Sequence, residues 1–446
     1  MKEFIKKIIV WKLGIIAKMY LRRYKPQIVA ITGNVGKTST KEAIATVLSG
    51  FKKVRSGKGN LNNEFGVPLT ILGDWADDYY EAGNALFFWI RVLVVSFFGL
   101  FFQRNYPEIL VLEYGADKPG DIKRLADNFK PHISVVTAVG EVPVHVEYFS
   151  GPEGVAKEKG YLVEALSVFG FAVLNFDDLA VLEMKERTKS KVFTYGFGDG
   201  AIVRVSNLEP WLENGIPEGV SFKINFSDSF VPFKLSGSLG KSQGYAAAAA
   251  AAVGAILGIN LVDISEALSD YHGSKGRLKI LKGIKNSTII DDTYNASPLS
   301  THLALETLRD LPATRRVAIL GDMLELGKYS IQAHQEIGNM AGSIVDLLVC
   351  VGSRAKFIAD SATPGVNERS SRRMTAFNQM PKENIYRFDT SDEAKLKVKE
   401  LVMEGDLILV KGSQGMRMEK VVEEIIANPE NKKELLVRQG KKWLIK

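Results

Sequence analysis

Cysteine is nearly absent from this chain of 446 residues, which has one, Cys350. That excludes a disulfide framework and a cysteine-rich zinc site, and it fits a reducing compartment. Cys350 lies in the apolar run DLLVCV, the setting of a small buried hydrophobe rather than a nucleophile. Internal repeats and low-complexity linkers are missing too, which excludes solenoid and fibrous architectures. The N-terminal stretch MKEFIKKIIVWKLGIIAKMYLRRYKP has no small-residue cleavage site after it, and Lys12 and Lys18 interrupt its apolar run. It therefore reads as a retained segment and not as a signal peptide. Acids are the scarcer charge, 51 against 58 lysines and arginines, for a net charge of +7. A basic balance suits anionic substrates, nucleic acid or an anionic membrane surface, and by itself selects none of them.

What is present is a globular composition, 46% hydrophobic and 24% charged, in a chain long enough for two or three domains. QIVAIT, ILVLEYG (109–115), ISVVTAV (133–139) and FAVLNFDD (171–178) are short apolar runs parted by helical stretches. This alternation predicts an α/β fold with a mostly parallel sheet. KVFTYGFG and VSFKINFSDSFVPFKLSG predict β-hairpins flanking that sheet, and the alanine run 245–252 predicts a helix. A second series runs through IKNSTIIDDTY, RRVAILGDM, DLLVCVG, NIYRF and DLILVKGS and predicts a C-terminal Rossmann-like α/β domain. The expected division is a basic apolar helix over 1–25, a central domain over 26–272 and a C-terminal domain over 273–446, with a surface loop at 362–383. ALFFWIRVLVVSFFGLFF (85–102), inside an insertion spanning 84–103, approaches the ~20 residues that cross a bilayer. A full crossing would put the two halves of one sheet on opposite sides of a membrane. The segment is therefore either a core helix or a helix or hairpin dipping into the interface.

The chemistry begins at TGNVGKTST. Gly33, Asn34, Val35, Gly36, Lys37, Thr38 and Ser39 follow a strand and open a helix, where backbone N–H groups and the helix dipole favour phosphate. Lys37 can reach the β- and γ-phosphates, and the Thr38 hydroxyl suits Mg²⁺. The first glycine of the longer signature is replaced by Ile31. Glu113 ends an apolar strand, a place for an acid that holds the metal or its water. A phosphate loop alone suits a kinase, a motor or a switch GTPase equally well.

Further stretches narrow the choice: NLNNEFGVP (60–68), LEYGADKPGDI (112–122), VAKEKG (155–160), KGRLKIL (275–281), DDTYNASP (291–298), LGDMLELG (320–327) with His334, and VKGSQGMRMEKVV (410–422). In this order the chain resembles the Mur ligase family, most closely its MurF type, over about residues 27–425. The resemblance implies an ATP-dependent amide ligase of peptidoglycan precursor synthesis. It implies that Lys37 and Thr38 bind the triphosphate and a first Mg²⁺, with Glu113 and His145 near metal. Lys159 matches a lysine that takes up CO₂ to become a carbamate bridging to a second Mg²⁺. Arg277 is implied to face the γ-phosphate, Asp292 and Asn295 the nucleoside, with Gln243 as a further adenine contact. Asn62, Asn63, Lys411, Ser413 and Arg417 are implied to meet the substrates, a muramoyl-peptide precursor and D-alanyl-D-alanine.

Two departures from the family pattern stand out. Members of this type carry a whole N-terminal domain ahead of the phosphate loop, where this chain has about thirty basic, apolar residues. TAVGEVPVH (137–145) also has alanine where the family has asparagine. The expectation is a cytoplasmic monomer with no nucleic-acid partner, in peripheral contact with the inner face of the cell membrane through 1–25 and 84–103. Two alternatives stay open: a Mur-like ligase for another peptide or a polyglutamate-type acceptor, and a membrane-associated P-loop ATPase.

Overall fold

Two sheets account for the apolar runs in the computed structural model, which describes residues 2–82, 86–363, 380–440 and 443. In the first, β1 (Gln27–Thr32), β2 (Val54–Ser56), β3 (Ile109–Glu113), β4 (Ile133–Val136), β5 (Phe171–Asn175) and β6 (Lys191–Gly196) lie parallel in the order β2-β3-β1-β4-β5-β6. β3 and β4 are buried at every residue, the mark of parallel strands covered on both faces. The sheet then turns antiparallel through β7 (Val203–Glu213), β8 (Ile216–Phe226) and β9 (Ser229–Ser236). Asn214 and Gly215, both at positive φ (51° and 81°), make the two-residue loop between β7 and β8.

KVFTYGFG departs from its expectation. Rather than forming a hairpin, β6 pairs in parallel with β5, from Phe171 opposite Lys191 to Asn175 opposite Tyr195. An alternating pattern marks a strand but does not tell which way its neighbour runs.

The second sheet has β10 (Lys279–Lys282), β11 (Thr288–Asp292), β12 (Arg316–Gly321), β13 (Leu347–Val351), β14 (Ile385–Phe388) and β15 (Leu407–Lys411) in the order β10-β11-β15-β12-β13-β14. All are parallel except the edge strand β10, which sequence reasoning missed because KILK is short and half polar. The alanine-rich helix Lys241–Ile256 is packed between the sheet and the helix after β1, with Ala246–Ala252 buried throughout. Alanine favours the helix and lets it approach closely. One apolar cluster runs from beneath β1 through this helix into the second sheet, so the two halves share a core. Of the loop expected at 362–383, residues 364–379 lie outside the described residues.

The helices that shape the site are α1 (Lys2–Tyr24), α2 (Lys37–Ser49), α3 (Gly66–Leu72), α4 (Ala76–Ala82), α5 (Leu86–Phe102), α6 (Asp121–Asn128) and α7 (Pro152–Glu164). α5 is a single helix that buries one face, Phe88, Trp89, Val92, Ser96 and Leu100, and exposes the other. It is therefore not a core helix in full. No helix among the described residues is long and apolar enough to cross a membrane. α1 lies parallel beside α5: the Tyr20 hydroxyl donates to Ser96 O at 2.9 Å, and Tyr24 to Gln103 O at 2.9 Å. A Cβ at Gly99 would stand 2.6 Å from the Tyr20 oxygen, which accounts for the glycine in the apolar run.

Candidate active site

β1 ends at the switch point of the first sheet, where the chain leaves β1 and β4 in opposite directions, the usual crevice for a ligand in such folds. The loop that follows is locked in shape. Gly33 has φ 137° and Gly36 φ 87°, and Asn34 N donates to Ala138 O at 2.7 Å. A Cβ on Gly33 would sit 2.0 Å from Thr137 Oγ1. Gly33→Ala is accordingly expected to displace the loop and weaken nucleotide binding by about a hundredfold, measurable by titration with a fluorescent ATP analogue.

α2 begins with Lys37, whose Nζ lies 3.4 Å from Asn34 O. Burial holds its pKa below the usual lysine range, against the pull of Glu113. Glu113, at the end of β3, gathers Thr38 Oγ1 at 3.2 Å, Asn62 Nδ2 at 3.1 Å and Lys41 Nζ at 3.8 Å. Burial opposes its charge, but Lys41, Lys37 and the Asn62 bond outweigh that and hold the carboxyl below the usual carboxylate range. Asn63 caps the helical turn before α3, its Oδ1 accepting from Phe65 N and Gly66 N at 3.1 and 3.0 Å.

α7 presents Lys159, buried to 2% exposure and with no hydrogen-bond partner among the described residues. Burial first, then the neighbouring Lys37, lowers its pKa to about 7. The preceding residue, Glu158, fixes the helix by accepting from Gly120 N and Ile122 N at 2.8 and 2.7 Å. His145, at φ 68°, places Nδ1 2.7 Å from Glu325 Oε2 and Nε2 3.8 Å from Asp117 Oδ1. Glu325 comes from the loop after β12, so this contact joins the two halves. His145 holds the Glu325 carboxyl below its usual range, against partial burial.

From the second half, Arg277 lays its guanidinium 4.0 Å from the Tyr294 ring centroid and leaves a buried Nε without a partner among the described residues. Asn295 Oδ1 accepts from Gln414 N at 3.2 Å, and Ser413 Oγ accepts from Leu324 N at 2.8 Å. Lys37, Asn62, Asn63, Glu113, His145 and Lys159 face Arg277, Asn295, Ser413 and Arg417 across one cleft of about 930 Å³.

Lys411, Asp292 and Gln243 are buried outside the lining of the cleft, whereas Arg417 stands in it. Lys411 is buried, its ammonium bound to Asp292 Oδ2 at 2.5 Å and Asn295 O at 3.0 Å, so both charges are spent on each other behind the cleft. Arg417 reaches the cleft, with its Nε on Glu419 at 2.5 Å. Gln243 is wholly buried against the Tyr271 hydroxyl at 3.2 Å.

Two family models match: the Mur ligase middle domain over residues 95–254 and the Mur ligase glutamate ligase domain over 276–414. The UDP-N-acetylmuramoyl-tripeptide–D-alanyl-D-alanine ligase of Bacillus subtilis is 30% identical over 421 residues, 93% of this chain and 79% of that protein. This chain belongs to the Mur ligase family. The Escherichia coli protein of the same name is 28% identical, over 93% of this chain and 80% of its own length. Among solved structures, the MurF ligase of Thermotoga maritima in complex with ADP aligns with a TM-score of 0.74 at 26% identity, covering 93% and 83% of the two chains. Mycobacterium tuberculosis folylpolyglutamate synthase, at 16% identity and a TM-score of 0.61 over 92% and 95%, shares the fold.

In this Mur ligase cleft sequence reasoning overlooked Tyr294 and Glu325, and behind it the buried Lys41 on Glu113. Lys41 stands one turn beyond Lys37 on α2, and that spacing could have shown it. Tyr294 and Glu325 lie inside DDTYNASP and LGDMLELG; Tyr294 meets Arg277 within the second half, and Glu325 gains its contact with His145 only where the two halves meet.

Proposed function

We propose that this chain is an ATP-dependent amide ligase that joins D-alanyl-D-alanine to the free carboxylate of a muramoyl peptide, giving ADP and phosphate. The observation that carries the reading is the convergence of Lys37, the near-neutral Lys159 and Arg277 of the opposite half in one cleft beside Glu113. The acceptor carboxylate attacks the γ-phosphorus of ATP, the bond to the β–γ bridging oxygen breaks, and an acyl phosphate forms. Lys37 and Arg277 offset the charge that builds on the transferred group. The dipeptide amine then attacks the acyl carbon, the tetrahedral intermediate expels phosphate, and the amine loses its proton. Closure of the halves 26–272 and 273–446 across the cleft, with His145 and Glu325 at their contact, keeps water from the acyl phosphate.

Among the described residues no three His, Cys, Asp or Glu side chains form a metal cage. The Thr38 hydroxyl and Glu113 carboxylate instead offer the sparse hard-oxygen set that Mg²⁺ shares with phosphate and water. Mg²⁺ bound there would neutralise phosphate charge. CO₂ uptake would turn Lys159 from a cation into an oxygen donor for a second ion, next to His145. Ser413, Arg417, Asn62 and Asn63 form the walls that would face the two substrates. The protein works as a monomer in the cytoplasm, touching the inner face of the membrane through α1 and α5.

The test offers ATP, Mg²⁺ and UDP-muramoyl-tripeptide with and without D-alanyl-D-alanine, following ADP and the adduct mass. ADP release should match amide product one to one and should stop without the dipeptide. ADP release without any amine would identify an ATPase, and product formed only with glutamate would identify a polyglutamate-type ligase.

A further inference from the structure

We infer that the muramoyl-peptide acceptor reaches this ligase on a lipid carrier, held by the α1–α5 pair at the surface of an anionic bilayer. This rests on the ligase reading above and adds the form in which the acceptor is presented.

The charge is the first observation. Residues 1–25 contain eight lysines and arginines and one acid, while the remaining 421 residues hold fifty of each sign. The whole excess of +7 therefore sits on α1 and the residue after it. Lys6, Lys7, Lys12, Arg22 and Arg23 are exposed there.

The second observation is apolar. On α1, Phe4, Ile8, Trp11, Ile15 and Met19 recur at helical spacing along one exposed stripe. On α5, Phe87, Ile90, Val94, Phe98 and Phe101 form another. Because the helices run parallel and touch, exposed apolar rings and exposed cations share one platform. An interface of anionic headgroups over acyl chains satisfies both at once. A second copy of this chain on the same face would set +7 against +7.

Third, a groove of about 860 Å³ leads from this platform to the chemistry. It starts between Ile5 and Ile9 of α1 and Leu86 and Trp89 of α5, and it shares Asn62, Asn63, Gly115, Asp117 and Lys118 with the catalytic cleft. Lys6, held 5.4 Å from the Phe65 ring centroid, joins Lys118 on its wall, where Arg124 is paired with Glu64 at 3.0 Å and Asp117 and Asp121 also stand. An acceptor with its carboxylate in the catalytic cleft would extend along this groove past Lys118 toward Lys6. Its hydrocarbon tail would leave between the two helices toward the exposed stripes. A nucleotide carrier is anionic but has no tail to occupy the apolar end.

The experiment supplies one muramoyl tripeptide in three forms: on a polyprenyl diphosphate in phosphatidylglycerol vesicles, on UDP in solution, and with no carrier. We expect kcat/KM for the vesicle-borne acceptor to exceed that for the UDP-linked one by about tenfold or more, through its concentration at the surface. A Trp11→Asp, Phe98→Asp variant, altered only at exposed positions, should melt as the parent does. It should no longer sediment with the vesicles and should lose that advantage, while keeping its rate on the carrier-free peptide. Equal or faster turnover of the UDP-linked acceptor would overturn the inference, as would an unchanged vesicle rate in the variant. Self-association abolished by the two substitutions, without vesicle binding, would show a second copy on this face and overturn it too. Product from the soluble acceptors without lipid preference leaves the ligase reading standing alone, whereas no product from any of the three removes both.

Discussion

Lys159→Ala is expected to lower the rate of ligation by about a thousandfold, with partial recovery on adding formate or acetate. The argument starts from burial. An ammonium at 2% exposure, beside the half-buried Lys37, is disfavoured, and the pKa falls to about 7. Above that value Lys159 is mostly the free amine, whereas an exposed lysine would need a pH near ~10.4. Only the free amine attacks CO₂: the nitrogen bonds to carbon, a proton leaves, and a carboxylate replaces a cation. In protein equilibrated with ¹³C-bicarbonate, a carbamate resonance should therefore grow as the pH is raised through about 7. It should be absent from Lys159→Ala. The added acids would supply the missing oxygens in the space the side chain vacates, so rescue separates loss of a ligand from loss of fold. A variant that keeps full activity would show that Lys159 is structural.

The second large effect concerns stability. Lys411→Met leaves the Asp292 carboxylate buried with only the Leu278 amide, at 3.2 Å, to hold it. Removing one partner of a buried pair costs roughly 3–5 kcal/mol, which should lower the melting temperature by about 10 °C. Burial already pulls the Lys411 pKa down against Asp292, so the ammonium survives there only because of that partner. Adding Asp292→Leu should restore much of the loss, because two apolar groups need no charge balance. If Lys411 instead gripped the dipeptide carboxylate, the single variant would keep its melting temperature and raise the KM for D-alanyl-D-alanine.

That pair also shows where sequence reading stopped. The central strands of both sheets were legible because parallel strands covered on two faces must be continuous apolar runs, whereas the short edge strands β2 and β10, half polar and half exposed, were not. The phosphate loop was legible because Gly33, Gly36 and Lys37 fall within one run of five residues. Lys411 and Asp292 lie 119 residues apart, and they meet only because β15 runs beside β11 in a register that sets one opposite the other. Nothing local to either residue announces this, so Lys411 read as an open cation after a strand. His145 and Glu325 are a like case, each at positive φ on a loop of a different half. β6 was misread for a related reason, since the direction of a neighbouring strand is a property of the sheet and not of the strand.

The lock between Tyr20 and Ser96 also sets an order of events during synthesis. α1 leaves the ribosome before α5, and Ser96 follows Tyr20 by 76 residues. At about 5–20 residues per second the nascent chain spends roughly 4–15 s with the Tyr20 hydroxyl lacking its Ser96 acceptor, beside the stripe that stays uncovered in the finished fold. Expression that outpaces chaperone supply should therefore lose this protein to aggregation through α1, and slower translation between residues 24 and 86 would lengthen the exposure instead of relieving it.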